Sequence, residues 1–212
     1  MTDGQALRNG AVAEAIRRHR LIAVLRRVEP QSALLSLVDR LAEAGVRLFE
    51  ITFDSPSAAE DLYAVREQVA SLDRSVLVGA GTLLSAHQVA SANLCGADFG
   101  VSPVLDVELT RSAIADGLPF VPGAFTPTEM HTAWDAGATF VKLFPASAVG
   151  PQFIRELRGP LPEIQIITTG GVDASNSVAF LEGGAVAVGI GSALARMSTE
   201  EVRGLVGSVA RP

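Results

Sequence analysis

The strongest constraint in this chain is a repeated local order: a short apolar run, a helical stretch, a glycine, then the next apolar run. Runs rich in Val, Ile and Phe fall at Leu21–Leu25, Arg47–Thr52, Val76–Ala80, Asp98–Ser102, Pro119–Gly123, Thr139–Phe144, Ile164–Thr169 and Ala185–Ile190. Helical patterning separates them, as at Gln31–Ala44, Ala58–Ala70, Leu84–Leu94 and Thr128–Ala136. Gly45, Gly96, Gly117, Gly137 and Gly184 stand at helix-to-strand joints, where a left-handed residue commonly closes a helix. Strands alternating with helices predict a parallel sheet, because parallel neighbours need a crossover connection. Eight such βα units close into an α/β (β/α)8 TIM barrel, with an open doubly wound sheet as the alternative. A length of 212 residues is short for that barrel, so the loops should be short and residues 1–212 should form a single domain. An extra N-terminal helix, over Ala6–Arg18, would cap the bottom of the barrel.

Composition narrows the setting. With 48% hydrophobic and 19% charged residues, the chain reads as globular rather than disordered or coiled-coil. A formal charge of -6 without a basic run argues against nucleic acid as a partner. The tight cluster Arg17-Arg18-His19-Arg20 reads as the end of a solvated helix. No apolar stretch approaches the roughly 18 residues of a membrane helix, so no membrane partner is expected. Cys95 is the lone cysteine, which excludes an internal disulfide framework and fits a reducing, cytoplasmic setting. His19, His87 and His131 have no ligand partner at useful spacing, so neither a metal nor another cofactor is expected. His131 and Trp134, three apart on one helix, read as packing or subunit-contact residues, and Cys95 as a small buried hydrophobe.

The basic residues are 17 in number, and all but Lys142 are arginine. Arginine stays protonated in proteins and cannot act as a nucleophilic amine, so the lone lysine has a distinct chemistry. Side chains alternate faces along a strand. In Phe140-Val141-Lys142-Leu143-Phe144, the aliphatic Val141 and Leu143 should face the helices, which turns Lys142 inward. In Leu48-Phe49-Glu50-Ile51-Thr52, the same parse turns Glu50 and Thr52 inward. An isolated charge inside an apolar barrel is costly, so each must be neutralised or paired. Two readings fit: a structural Lys142–Glu50 ion pair, or a desolvated neutral amine that attacks a ketone while Glu50 moves protons.

Chemistry in this fold sits at the C-terminal strand ends, and phosphate sites often follow strands seven and eight. Thr168-Thr169-Gly170-Gly171 and Gly189-Ile190-Gly191-Ser192 end those strands, with glycines for close backbone approach and the Ser192 hydroxyl as a donor. Gly79-Ala80-Gly81-Thr82 offers a further donor cluster or a plain turn. Arg26, after the first strand, is placed to reach a carboxylate or phosphate, or else is a solvated surface residue.

These motifs, in this order and spacing, resemble the KDPG/KHG aldolases, the class I family that includes 2-keto-3-deoxy-6-phosphogluconate aldolase. The resemblance runs from Leu21-Ile22-Ala23-Val24-Leu25-Arg26 to Gly189-Ile190-Gly191-Ser192. It takes in Phe49-Glu50-Ile51-Thr52, Val78-Gly79-Ala80-Gly81-Thr82, Val101-Ser102-Pro103, Val121-Pro122-Gly123, Val141-Lys142-Leu143-Phe144-Pro145-Ala146 and Thr168-Thr169-Gly170-Gly171-Val172. It implies cleavage of a phosphorylated 2-keto-3-deoxy sugar acid to pyruvate and an aldehyde such as glyceraldehyde 3-phosphate. It further implies Lys142 as the Schiff-base residue, Glu50 as the proton carrier, and Thr82 and Pro103 against the pyruvyl portion. Phe144 would line the pocket, and Thr169, Gly170, Gly171 and Ser192 would hold the phosphate. A homotrimer is implied as well. Where many members carry an arginine four residues after the glutamate, this chain has Asp54, a stretch similar to the 6-phosphogalactonate branch with its uncharged residue there. Arg26 is the substitute cation by position. A phosphosugar isomerase or epimerase on the same barrel, or a non-catalytic barrel that binds a phosphosugar acid, are the competing functions.

Overall fold

The computed structural model describes residues 3–72 and 75–210. Nine strands are found among them: β1 (Leu21–Leu25), β2 (Leu48–Thr52), β3 (Leu77–Gly81), β4 (Gly100–Val101), β5 (Phe120–Val121), β6 (Gly123–Ala124), β7 (Val141–Leu143), β8 (Ile166–Thr169) and β9 (Ala187–Ile190). Every pairing between them is parallel, and β1 is flanked by both β2 and β9, so the chain winds round a barrel rather than an open doubly wound sheet. The ninth strand arises because one barrel position is broken in two. Pro122 has no N–H to give a ladder, so β5 pairs with β4 and β6 with β7 on either side of it. The Pro122 carbonyl still accepts from Lys142 N at 2.9 Å, which carries the ladder across the break.

Helices α1 (Asp3–His19), α2 (Gln31–Glu43), α3 (Ala58–Leu72), α4 (Ala86–Leu94), α5 (Val107–Ala115), α6 (Pro127–Asp135), α7 (Gly150–Leu157), α8 (Ser177–Glu182), α9 (Ser192–Arg196) and α10 (Thr199–Val209) surround the barrel or close its ends. None is long and apolar enough to cross a membrane. All five glycines expected to close helices have positive φ, from 80° at Gly96 to 111° at Gly184.

The strand alternation sorts the interior into two cores. Leu21, Ala23, Phe49, Ile51, Val78, Val141, Leu143 and Val188 face the helices. Ile22, Leu48, Phe99, Val101, Val121, Phe140, Ile167 and Ala187 fill the barrel, and Val12, Ala13 and Ile16 of α1 join them from below. Gly79 makes room for this packing, because a Cβ there would overlap the Phe99 ring. The basic end of α1 is not simply solvated, as its sequence suggested. Arg17 lies over the Phe140 ring at 5.4 Å and donates to Gln165 Oε1 at 2.8 Å, and Arg20 Nε donates to the Val186 carbonyl at 3.2 Å. These contacts staple the plug to the barrel floor. Trp134 and Cys95 are half-buried against the outer core, and His131 is exposed, 3.5 Å from Asp135.

Ile16 is fully enclosed between α1 and the barrel interior. Ile16→Ala should therefore lower unfolding free energy by about 2–5 kcal/mol in urea melts. An unchanged midpoint would mean that α1 does not plug the barrel.

Candidate active site

The cleft lies at the C-terminal strand ends and holds about 330 Å³. Lys142 reaches it from the middle of β7, whose register sets it beside Gly123 on one neighbour and Ile167 on the other. The side chain is 5% exposed, and Nζ sits 5.1 Å from the centre of the Phe144 ring. Burial pushes the ammonium's pKa below the ordinary 10.5, because the charged form has lost its water. The Glu50 carboxylate pulls it partly back up, and the Arg26 guanidinium pushes it down again. The net lowering enlarges the population of neutral amine.

Glu50, on β2, is also buried. A Cβ on Gly81 would collide with its carboxylate, so glycine on β3 is what lets this acid lie along the barrel wall. Among the described residues no salt bridge joins Glu50 to Lys142, so the two charges influence each other without forming the ion pair that was one of the two readings. Glu50 Oε1 is buried without a hydrogen-bond partner. An unsatisfied buried acceptor costs stability, and sites of proton transfer are where such costs are tolerated.

On the opposite side, Thr169, Gly170, Gly171, Gly191 and Ser192 line the cleft with Phe144, as the strand-end glycines predicted. Gly170 and Gly171 have φ of 84° and 73°, and side chains there would strike Phe144 and Ser147. Backbone alone can occupy this turn. The Thr169 hydroxyl oxygen has no hydrogen-bond partner. Asp173, two residues beyond the glycine turn, also lines the cleft, and the strand-end motifs did not single it out. Its carboxylate accepts from Ser175 Oγ at 2.6 Å and Ser175 N at 2.8 Å, and these bonds hold its pKa below the usual carboxylate value.

Arg26 lines the cleft as expected and is half-exposed. Its Nη1 donates to Asp54 Oδ2 at 2.6 Å and its Nη2 to Thr82 Oγ1 at 3.1 Å. Thr82 takes a positive φ of 58° immediately after β3, and this turn brings its hydroxyl to Arg26. Asp54 does not face the cleft alone. Arg27 Nε lies 3.3 Å from its carboxylate, and the Arg27 guanidinium donates twice to its carbonyl, at 3.1 and 2.8 Å. Burial by itself would raise the Asp54 pKa; a hydrogen bond from Thr52 and the two arginines outweigh it and lower the value. The Pro103 carbonyl packs on Gly123, where a Cβ would meet it, and Gly123 is the parallel-register neighbour of Lys142, so Pro103 stands against the strand beside the amine.

The chain matches the KDPG and KHG aldolase family over residues 12–205. It is 37% identical over 177 residues to the 2-dehydro-3-deoxy-6-phosphogalactonate aldolase of Escherichia coli K12, covering 83% of this chain and 84% of that one. It is 34% identical over 173 residues to the 2-dehydro-3-deoxy-phosphogluconate aldolase of Treponema pallidum, covering 80% and 79%. A solved native KDPGal structure superposes with a TM-score of 0.78 at 34% identity, over 89% of this chain and 91% of the other.

Because Lys142 is the sole lysine, protein labelled with [ε-13C]lysine gives one side-chain resonance. Its titration midpoint should fall below 10.5. Glu50→Gln removes the charge that raises this pKa and should move the midpoint lower still. A midpoint at or above the ordinary lysine value would refute the desolvated amine.

Proposed function

The chain belongs to the KDPG and KHG aldolase family, and on that footing we propose that Lys142 and Glu50 carry out its chemistry as Schiff-base residue and proton carrier. The reaction is reversible cleavage of a phosphorylated 2-keto-3-deoxy sugar acid to pyruvate and an aldehyde such as glyceraldehyde 3-phosphate. The observation that carries this reading is the lone lysine amine, desolvated inside the barrel and open to the cleft on one side.

Neutral Lys142 attacks the C2 ketone, and loss of water gives a protonated imine. That cation is the electron sink for the next step. Glu50, directly or through water, takes the proton from the C4 hydroxyl; the C3–C4 bond breaks, its electrons flow into the iminium, and the aldehyde departs. Protonation of the resulting enamine and hydrolysis release pyruvate and regenerate the amine. Thr169, Gly170, Gly171, Gly191 and Ser192 hold the distal phosphate, so that binding energy remote from the reacting bond aligns it. Arg26 and Thr82 receive the carboxylate.

The homotrimer reading draws support from Leu84, Val104 and Phe125, exposed apolar residues that follow β3, β4 and β6 on one side of the mouth. Sedimentation at micromolar concentration checks it, and a monomer there would refute it.

The decisive experiment is reduction with borohydride in the presence of pyruvate, followed by intact mass and peptide mapping. A single pyruvate-dependent adduct on Lys142 is expected. Lys142→Arg should abolish both adduct and cleavage while the fold persists; near-normal turnover by that variant would overturn the assignment. Turnover of a phosphosugar by isomerisation, with no adduct, would instead favour the isomerase reading.

A further inference from the structure

Among the described residues, Arg26 is the one cationic side chain besides Lys142 in the cleft wall. A half-exposed arginine on a flexible stem has many rotamers, yet this one is held at both tips of its guanidinium, by Asp54 on one side and Thr82 on the other. Asp54 is itself fixed from behind, because Arg27 grips its carbonyl with two hydrogen bonds and stands near its carboxylate. The result is a relay running from Arg27 through Asp54 and Arg26 to Thr82. Two guanidinium groups share one carboxylate, so the relay keeps a net formal charge of about +1 and can still attract an anion.

We infer that Asp54 is a positioning residue, which holds Arg26 across the mouth so that its guanidinium and the Thr82 hydroxyl receive the carboxylate of a 2-keto acid bound at Lys142. This rests on the aldolase reading of the same cleft. An acid at position 54 thus does the opposite of repelling the substrate: it orients the cation that binds it. Position 54 controls affinity for the carboxylate and leaves the chemistry at the amine alone.

Borohydride trapping of wild type and variants, titrated with pyruvate and in parallel with acetone, tests this. Acetone offers the same ketone without the carboxylate. Asp54→Ala should raise the half-saturating pyruvate concentration about tenfold, with the saturating rate within about twofold and acetone trapping unchanged. Asp54→Asn, which keeps an acceptor for Arg26, should restore most of the affinity. Arg26→Ala should match the loss, and the double variant Asp54→Ala/Arg26→Ala should be no worse than Arg26→Ala alone, since one residue acts through the other. Arg26→Lys, which cannot bridge two partners with a fork, gives a second route to the same loss if Asp54→Ala folds poorly. Unchanged or tighter pyruvate dependence in Asp54→Ala would overturn the inference, as would equal losses for acetone and pyruvate. No wild-type adduct with either ketone would overturn the aldolase reading together with it, whereas a normal wild-type adduct with insensitive variants overturns this inference alone.

Discussion

The cleft depends on keeping one amine out of water. A barrel strand is buried on both faces, so a lysine at an inward position has nowhere to send its charge except the mouth. Beside and below Lys142 the barrel is packed with Ile167, Leu48, Phe99 and Phe140, and the α1 plug joins that core from below. The low-dielectric floor penalises the ammonium form, and this desolvation outweighs the attraction of the Phe144 ring face, 5.1 Å from Nζ, for a cation. An arginine in the same place would remain protonated and gain nothing as a nucleophile. The contacts of Arg17 and Arg20 at the floor therefore bear on the chemistry at the top, since a loosened plug would admit water beneath the amine.

Glu50 shows the same constraint from the acid's side. A buried carboxylate with one oxygen unpaired is a poor structural element, and an ion pair with Lys142 would have quieted both groups. The barrel keeps them in electrostatic range without closing the pair, and Gly81 provides the space in which the acid lies. Each group then retains a proton-transfer capacity that a salt bridge would suppress.

Much of this was legible in the sequence because strand alternation is a local rule. Period two along Phe140–Phe144 and Leu48–Thr52 placed Lys142 and Glu50 inside, and the strand-end glycines located the opposite wall at Gly170, Gly171 and Gly191. Two further features depend on partners far apart in the chain, which no window reveals. Arg26 meets residues 28 and 56 positions away, and Arg17 meets one 148 positions away. The expected fifth strand, Pro119–Gly123, was right as a position but not as a continuous element, because the missing N–H of Pro122 splits it. The contact of the Pro103 carbonyl with Gly123, the register neighbour of Lys142, joins segments 20 positions apart, something only the assembled barrel decides.

The cleft wall carries fixed charge of both signs, and on the proposed reading this bears on a substrate with an acid at each end. Arg26 is a cation in that wall, while Asp173, held ionised by Ser175, places an anion beside the glycine turn. A phosphate held there, as proposed, would draw on backbone N–H groups of the glycine turns and on the Ser192 hydroxyl. Such donors are strong only at close range and in fixed geometry, whereas the guanidinium acts over a longer distance. On the proposed reading, the carboxylate at Arg26 sets C2 beside Lys142 while the distal group settles against the glycines. The short-range donors would then fix the reach, so a keto acid of the wrong length would lose them while keeping its contact with Arg26.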